Sequence, residues 1–258
     1  MARVFITGST DGLGLAAARS LAADGHEVVG HARNAQRAAG LRAAAPELSE
    51  VVTGDLSSAK QTRSVAEQAN ALGTFDAVIH NAGVGPQERR KITTEDGHAH
   101  VLAINVLAPY LLTTLMARPA RLVYLTSGMH RGGKPSVEDL DWERRSWNGT
   151  QAYSDSKLFD ATLAAAVARK WTGVLSNAVD PGWVPTKMSD PGAPDDLTQG
   201  SATQAWLAVS DDRAATVSGG YFYHQAPRDP MPAVRSARFQ DELLAELARL
   251  TGVKLPEA

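Results

Sequence analysis

Thr7-Gly8-Ser9-Thr10-Asp11-Gly12-Leu13-Gly14 is the stretch on which the fold turns. Residues 3–7 hold the apolar run Val4-Phe5-Ile6 of a buried strand, and residues 12–24 carry the alanine and leucine of a helix. Glycines between a strand and a helix let backbone amides approach an anion with no side chain in the way. The first turn of the helix adds unpaired N–H groups and a partial positive charge. A plain turn can also hold glycines, but this placement points to the pyrophosphate of a dinucleotide.

Outward from that loop, short apolar runs alternate with longer helical ones. Strands are expected at 27–32, 51–53, 77–80, 121–126, 174–179 and 220–223. Helices are expected at 36–45, 58–72, 94–117, 151–171 and 198–210, with a last one at about 235–250 closed by Gly252. Such alternation implies right-handed crossovers and a parallel sheet covered on both faces. The expected architecture is one α/β domain over 1–258: a Rossmann-like doubly wound sheet of about seven strands, flanked by helices, with an extra C-terminal helix at 233–252. A loop insertion rich in glycine, charge and tryptophan occupies 128–150. Pro185, Gly192 and Pro194 make 183–197 the expected substrate lid.

The chain has 258 residues, 43% of them hydrophobic and 21% charged, with a formal charge of -2. That balance gives no reason to expect nucleic acid or an acidic membrane as a partner. The absence of cysteine removes disulfides, thiolate metal sites and thiol nucleophiles, and fits a cytoplasm. Met1 to Ile6 lead straight into the glycine loop, so no cleaved signal peptide is expected. The uncharged stretch 101–117 contains Asn105 and Pro109 and is too short for a bilayer, so it reads as a buried helix rather than a membrane span. The seven histidines form no metal-ligand pattern, and no metal is expected.

In such sheets ligands bind beyond the carboxyl ends of the strands. After the second strand stands Gly30-His31-Ala32-Arg33-Asn34, without the acid that would hold a ribose 2′-hydroxyl. Arg33 is free to meet a 2′-phosphate, although a solvated arginine opening a helix has the same sequence. Asp11 in the glycine loop weighs against a phosphate. The expected cofactor is NADP(H), with NAD(H) left open. Asp55 and Leu56 follow the third strand and Asn81-Ala82-Gly83 the fourth; both can touch the cofactor or serve as ordinary turns.

Tyr153-Ser154-Asp155-Ser156-Lys157 opens a helical stretch, and residues four apart share a helix face. A phenol, with an ordinary pKa of about 10, donates protons readily but is scarcely ionised at neutral pH. An ammonium beside it favours the phenolate, so a proton can move either way. Ser127, ending the fifth strand, can donate to a carbonyl oxygen. A Tyr–Lys pair alone is commonly surface chemistry; joined to the glycine loop and a strand-end serine, it describes a catalytic site.

With these motifs together, the chain resembles the short-chain dehydrogenase/reductase family from Thr7 through Gly220. The likeness rests on Thr7-Gly8-x-x-x-Gly12-x-Gly14, Asn81-Ala82-Gly83, Ile104-Asn105-Val106, Thr126-Ser127, Tyr153-x-x-x-Lys157 and Pro181-Gly182-x-x-x-Thr186. The resemblance implies a catalytic set of Asn105, Ser127, Tyr153 and Lys157. Tyr153 would exchange a proton with the substrate oxygen, and Ser127 would hold that oxygen. Lys157 would also bind the nicotinamide ribose, and Asn105 would position a water, its other reading being a buried capping amide. Gly8, Thr10, Asp11, Gly12, Leu13 and Gly14 would surround the pyrophosphate, and Pro181, Gly182, Val184 and Thr186 the carboxamide. His80 stands where many members have asparagine. The interval between Ser127 and Tyr153 is longer than usual, and its loop loosely resembles the retinol-dehydrogenase and protochlorophyllide-reductase branch.

Met129, His130, Trp183 and Met188 are the expected substrate contacts, favouring an apolar or aromatic carbonyl or alcohol; the same residues can be simple packing. Members often associate through helices corresponding to 94–117 and 151–171, so a homo-oligomer is expected, with a monomer as the alternative. The final helix can cover its own body or another subunit. Two rival functions remain: a non-catalytic NADP-sensing regulator, and a nucleotide-sugar epimerase or dehydratase. The intact Ser127, Tyr153 and Lys157 weigh against the first, and the glycine spacing and short C-terminal part against the second.

Overall fold

The computed structural model describes residues 1–189 and 192–257. Seven strands run parallel: β1 (Arg3–Ile6), β2 (Glu27–Ala32), β3 (Glu50–Thr53), β4 (Ala77–His80), β5 (Arg121–Leu125), β6 (Leu175–Asp180) and β7 (Tyr221–Tyr223). β8 (Ala226–Pro227) returns antiparallel beside β7, giving the order β3-β2-β1-β4-β5-β6-β7-β8. The direction of winding reverses between β1 and β4, so the crevice opens there at the carboxyl ends of the strands. β8 adds one strand to the expected number. It leaves no sequence pattern because only two residues pair, across a turn in which His224 and Gln225 hold φ of 48° and 58°.

Alternate side chains of the strands feed two cores. Val4, Ile6, Ile79, Val123 and Val179 face α1 (Gly12–Ala23) and α7 (Leu197–Val209). Phe5, Val29, Val78, Leu122 and Tyr124 face α3 (Ala59–Ala71), α5 (Ala108–Leu115) and α6 (Gly149–Lys170). α2 (Ala35–Ala44) closes the β2–β3 edge through Ala38 and Leu41. These helices begin where side chains satisfy their first amides: Asn34, Ser58, Asn148 and Asp196 cap α2, α3, α6 and α7.

The helix expected over 94–117 begins later. Thr93 and Ala99 form an isolated bridge around a turn in which Gly97 takes φ 87°, and α4 (His100–Leu102) starts only beyond it. α4 runs into α5 through a π-helical turn, Ala103–Leu107, which carries Asn105.

α8 (Ala237–Thr251), capped by Ser236 and ended by Gly252 at φ 71°, lies on its own chain. Phe239, Leu243 and Leu247 are buried against the core that includes α6, each contributing about 1.5–3 kcal/mol. The tail beyond it is tied down: Tyr110 Oη donates to Val253 O and Trp171 Nε1 to Pro256 O, both at 2.8 Å. The helix faces expected to meet a second subunit are therefore covered, with Ala108 to Thr114 buried throughout. Among the described residues no helix is long and apolar enough to cross a membrane.

Candidate active site

The glycine loop is shaped by close approach. Gly8 and Gly12 hold φ of 65° and 53°. A Cβ on Gly8 would lie 2.8 Å from Ala82 Cα, and one on Gly14 would lie 2.5 Å from Gly8 O. Asn81 locks the loop to β4, its Nδ2 donating to Thr7 O at 3.0 Å and Gly8 O at 3.1 Å. His31 braces it from β2: Gly8 N donates to Nδ1 at 3.1 Å, so Nε2 carries the proton and donates to Gly54 O at 2.9 Å. Burial keeps this imidazole neutral, lowering it to about 4.

Asp11 precedes α1, yet its side chain caps no amide there. It is drawn aside by Arg37 at 2.7 Å and Lys187 at 2.8 Å, which leaves the first amides of α1 for an anion. Burial alone would raise the Asp11 carboxyl; the bonds from Lys187 and Arg37 outweigh it and hold the group below its ordinary value. The expected objection to a phosphate is thus met by two cations. Arg37 also donates to Thr10 Oγ1 at 2.7 Å. A groove of about 710 Å³ follows, lined by the glycine loop, Leu13, Arg33, Arg37, Asp55, Leu56, Asn81, Ala82, Gly83 and Thr186. Arg37 and Lys187 are the residues that sequence reasoning missed. Arg37 follows Arg33 by four residues, a signal that was available; Lys187 reaches Asp11 from 176 residues further along the chain.

Across the groove, Thr126 Oγ1 donates to Lys157 O at 2.6 Å and ties α6 to the end of β5. Tyr153 and Lys157 share a face of α6, with Nζ 5.9 Å from the centre of the phenol ring. Nζ donates to Leu125 O at 2.7 Å and to Asp160 at 2.8 Å. A Cβ on Gly83 would stand 3.6 Å from Nζ and 3.3 Å from Asn105 Oδ1, so these groups converge where the fourth strand ends. Among the described residues the Tyr153 hydroxyl has no protein hydrogen bond, nor is it one of the polar atoms cut off from solvent. Its ring is walled by Val101, Trp142 and Ala152. The 128–150 insertion supplies Trp142 to that wall and is anchored by Asp141 to His98 at 2.8 Å and by Arg145 to Asp155 at 2.9 Å.

Ser127 Oγ accepts from Met129 N at 3.2 Å and keeps its proton to donate. His130 is a correction to the expected substrate contacts. It is fully buried; Met231 N donates to its Nε2 at 3.0 Å, so Nδ1–H donates to Ser127 O at 2.8 Å. The imidazole braces the serine from behind and presents nothing to the crevice. Asn105 is likewise a brace: Oδ1 accepts from Val84 N, and Nδ2 donates to Val84 O and Ser156 Oγ. Both Nδ2 protons are used, while Oδ1 keeps a second lone pair beside Gly83, so the buried-amide reading and the water-positioning reading both stay open.

Met129, Trp183 and Met188 are exposed by 37%, 57% and 37%, available to a substrate. Pro181 and Gly182, the latter at φ 88°, turn the chain from β6 towards the groove. Val184 is buried against Gly200, and Thr186 lies beside Gly12. The first part of the expected lid is fastened on both sides, by Lys187 to Asp11 and by Gln87 Nε2 to Met188 O. Asp190 and Pro191, also placed in the lid, fall outside the described residues.

A family model described as Enoyl-(Acyl carrier protein) reductase matches residues 8–215. An uncharacterized oxidoreductase of Emericella nidulans is 41% identical, over 99% of each chain. Short-chain dehydrogenase chyC of Penicillium rubens is 40% identical over 99% of this chain and 100% of its own, and human retinol dehydrogenase 13 is 29% identical over 98% and 85%. Among solved structures, an uncharacterized protein from Mycobacterium Paratuberculosis is similar with a TM-score of 0.86 and 25% identity, over 99% of this chain and 95% of that one. A blue fluorescent protein from a metagenomic library, solved in complex with NADPH, shares the fold at a TM-score of 0.68 and 24% identity, over 86% and 95%.

Proposed function

We propose that this chain, which belongs to the short-chain dehydrogenase/reductase family, interconverts a carbonyl and an alcohol with NADP(H), using Tyr153 as the acid and base. The observation that carries the proposal is the Lys157 ammonium 5.9 Å from the centre of the Tyr153 ring and beside Gly83, a residue that lines the groove of the glycine loop. In reduction Tyr153 donates its proton to the substrate oxygen; in oxidation it takes the hydroxyl proton back. Ser127 Oγ donates to the same oxygen, and the ammonium stabilises the phenolate left behind.

The residues present fit the cofactor. The uncapped amides of α1 and the tight approach of Gly8 to Ala82 suit a pyrophosphate. Arg33 and Arg37 suit a 2′-phosphate, with Asp11 already neutralised. When bound, the cofactor supplies or receives the hydride. Asp55, Leu56, Asn81 to Gly83, Pro181, Gly182, Val184 and Thr186 would line its remaining length. Exposed Met129, Trp183 and Met188 favour an apolar or aromatic substrate, in keeping with a relative named for retinol.

The test follows NADPH and NADH absorbance with purified protein across aldehydes, ketones, quinones and retinoids. Turnover with an apolar carbonyl, faster with NADPH, is expected. No turnover across the panel contradicts the proposal, and a clear NADH preference contradicts its cofactor.

A further inference from the structure

Lys157 and Asp160 lie three residues apart on α6, and their side chains are nearly sealed, 6% and 4% exposed. The ammonium has three N–H groups. Leu125 O takes one at 2.7 Å and Asp160 Oδ2 another at 2.8 Å, which leaves one to project towards the groove past Gly83. Asp160 Oδ1 is cut off from solvent and bonded to nothing among the described residues.

The groups that face this carboxylate are few. Lys157 comes from its own helix, and Tyr124 from β5 feels its charge. Behind Tyr124, whose hydroxyl meets Thr113 Oγ1 at 2.7 Å, His80 Nε2 meets the same Thr113 oxygen at 3.1 Å. Burial holds the Tyr124 phenol up and the His80 imidazole down, so both are neutral. Burial also pushes the Asp160 carboxyl up, and Lys157 only partly pulls it back. The ammonium is its one charged neighbour among the described residues.

A buried carboxylate with an idle oxygen is costly, and packing does not require it. Asparagine would fill the same volume and still accept from Nζ. We propose that Asp160 is the counter-charge of the catalytic ammonium, a positioning residue that holds Nζ and offsets its charge, so that Tyr153 stays protonated through neutral pH and the enzyme works as a carbonyl reductase. This rests on the acid–base role proposed above for Tyr153. The ammonium by itself favours the phenolate, and a carboxylate one hydrogen bond behind it opposes that field.

Near-ultraviolet phenolate absorbance of the full-length protein tests this without turnover. The titration step missing from Tyr153→Phe belongs to Tyr153. In Asp160→Asn that step should fall by about one pH unit, and the rise of alcohol oxidation with pH should move with it. A step that stays in place or rises overturns the proposal. Asp160→Ser, smaller and also neutral, should shift it the same way and keeps the test open if asparagine is not accommodated. Undiminished turnover in Tyr153→Phe defeats the proposed function itself, whereas a silent Asp160→Asn beside an inactive Tyr153→Phe defeats only the role of Asp160.

Discussion

The guanidinium of Arg37 closes on the carboxylate of Asp11 at 2.7 Å, across the mouth of the groove. Without that pair, Asp11 would keep only the exposed Lys187 as its counter-charge, and the groove would lose one cation for a 2′-phosphate. Arg37→Ala should therefore weaken NADPH about 10–100-fold while changing NADH little, since charged hydrogen bonds contribute about 1.5–3 kcal/mol. Fluorescence titration with both cofactors checks this. Equal losses for the two would remove Arg37 from the phosphate site.

His130 holds the Ser127 carbonyl at 2.8 Å and accepts from Met231. His130→Ala should lower kcat at least about tenfold, because a misplaced serine no longer meets the substrate oxygen in register. NADPH affinity should stay as it was. Steady-state kinetics beside a cofactor titration separates the two, and an unchanged kcat would show that Ser127 needs no such brace.

His31 and His80 are buried as neutral rings, lowered from 6.5 to about 4 and about 3. The unfolded chain takes up these protons below about pH 6.5 and the folded one does not. Their contribution is thus complete above pH 6.5 and is lost as pH falls towards 4, by about 1.4 kcal/mol per unit for each ring. Urea melts between pH 7.5 and 4.5 should show a slope for the unaltered protein that exceeds that of His80→Asn by about 1.4 kcal/mol per unit. A slope unaltered by His80→Asn would mean that His80 is not buried neutral.

α8 and the tail occupy the faces of α5 and α6 through which a partner was expected. Light scattering of the full chain should give the mass of one subunit. Removing the residues after Arg235 should expose the apolar seat of Leu243 and Leu247 and drive association. A stable dimer of the intact chain, unaffected by that truncation, would place the contact elsewhere.

The strand–glycine–helix opening, the strand ends and the Tyr153–Lys157 spacing were legible because each is local: backbone geometry and helical period write them directly into neighbouring residues. β8 escaped because a two-residue strand has no period. The late start of α4 turned on Gly97 at φ 87°, which breaks a pattern that otherwise reads as helix. His130 looked available because it adjoins Ser127, and only the return of Met231 seals it. Lys187 meets Asp11 from 176 residues further along the chain, a pairing that no local rule encodes. Asp160 stood one helical turn from Lys157 in plain view; its weight came from burial, which the sequence of a uniformly buried helix does not rank.

The most direct measurement is NADPH oxidation by Tyr153→Phe with a carbonyl compound that the unaltered protein reduces, alongside NADPH binding to both. Loss of the proton donor should cut turnover by about 10²–10⁴-fold and leave binding within about threefold. Turnover near that of the unaltered protein would contradict Tyr153 as the acid.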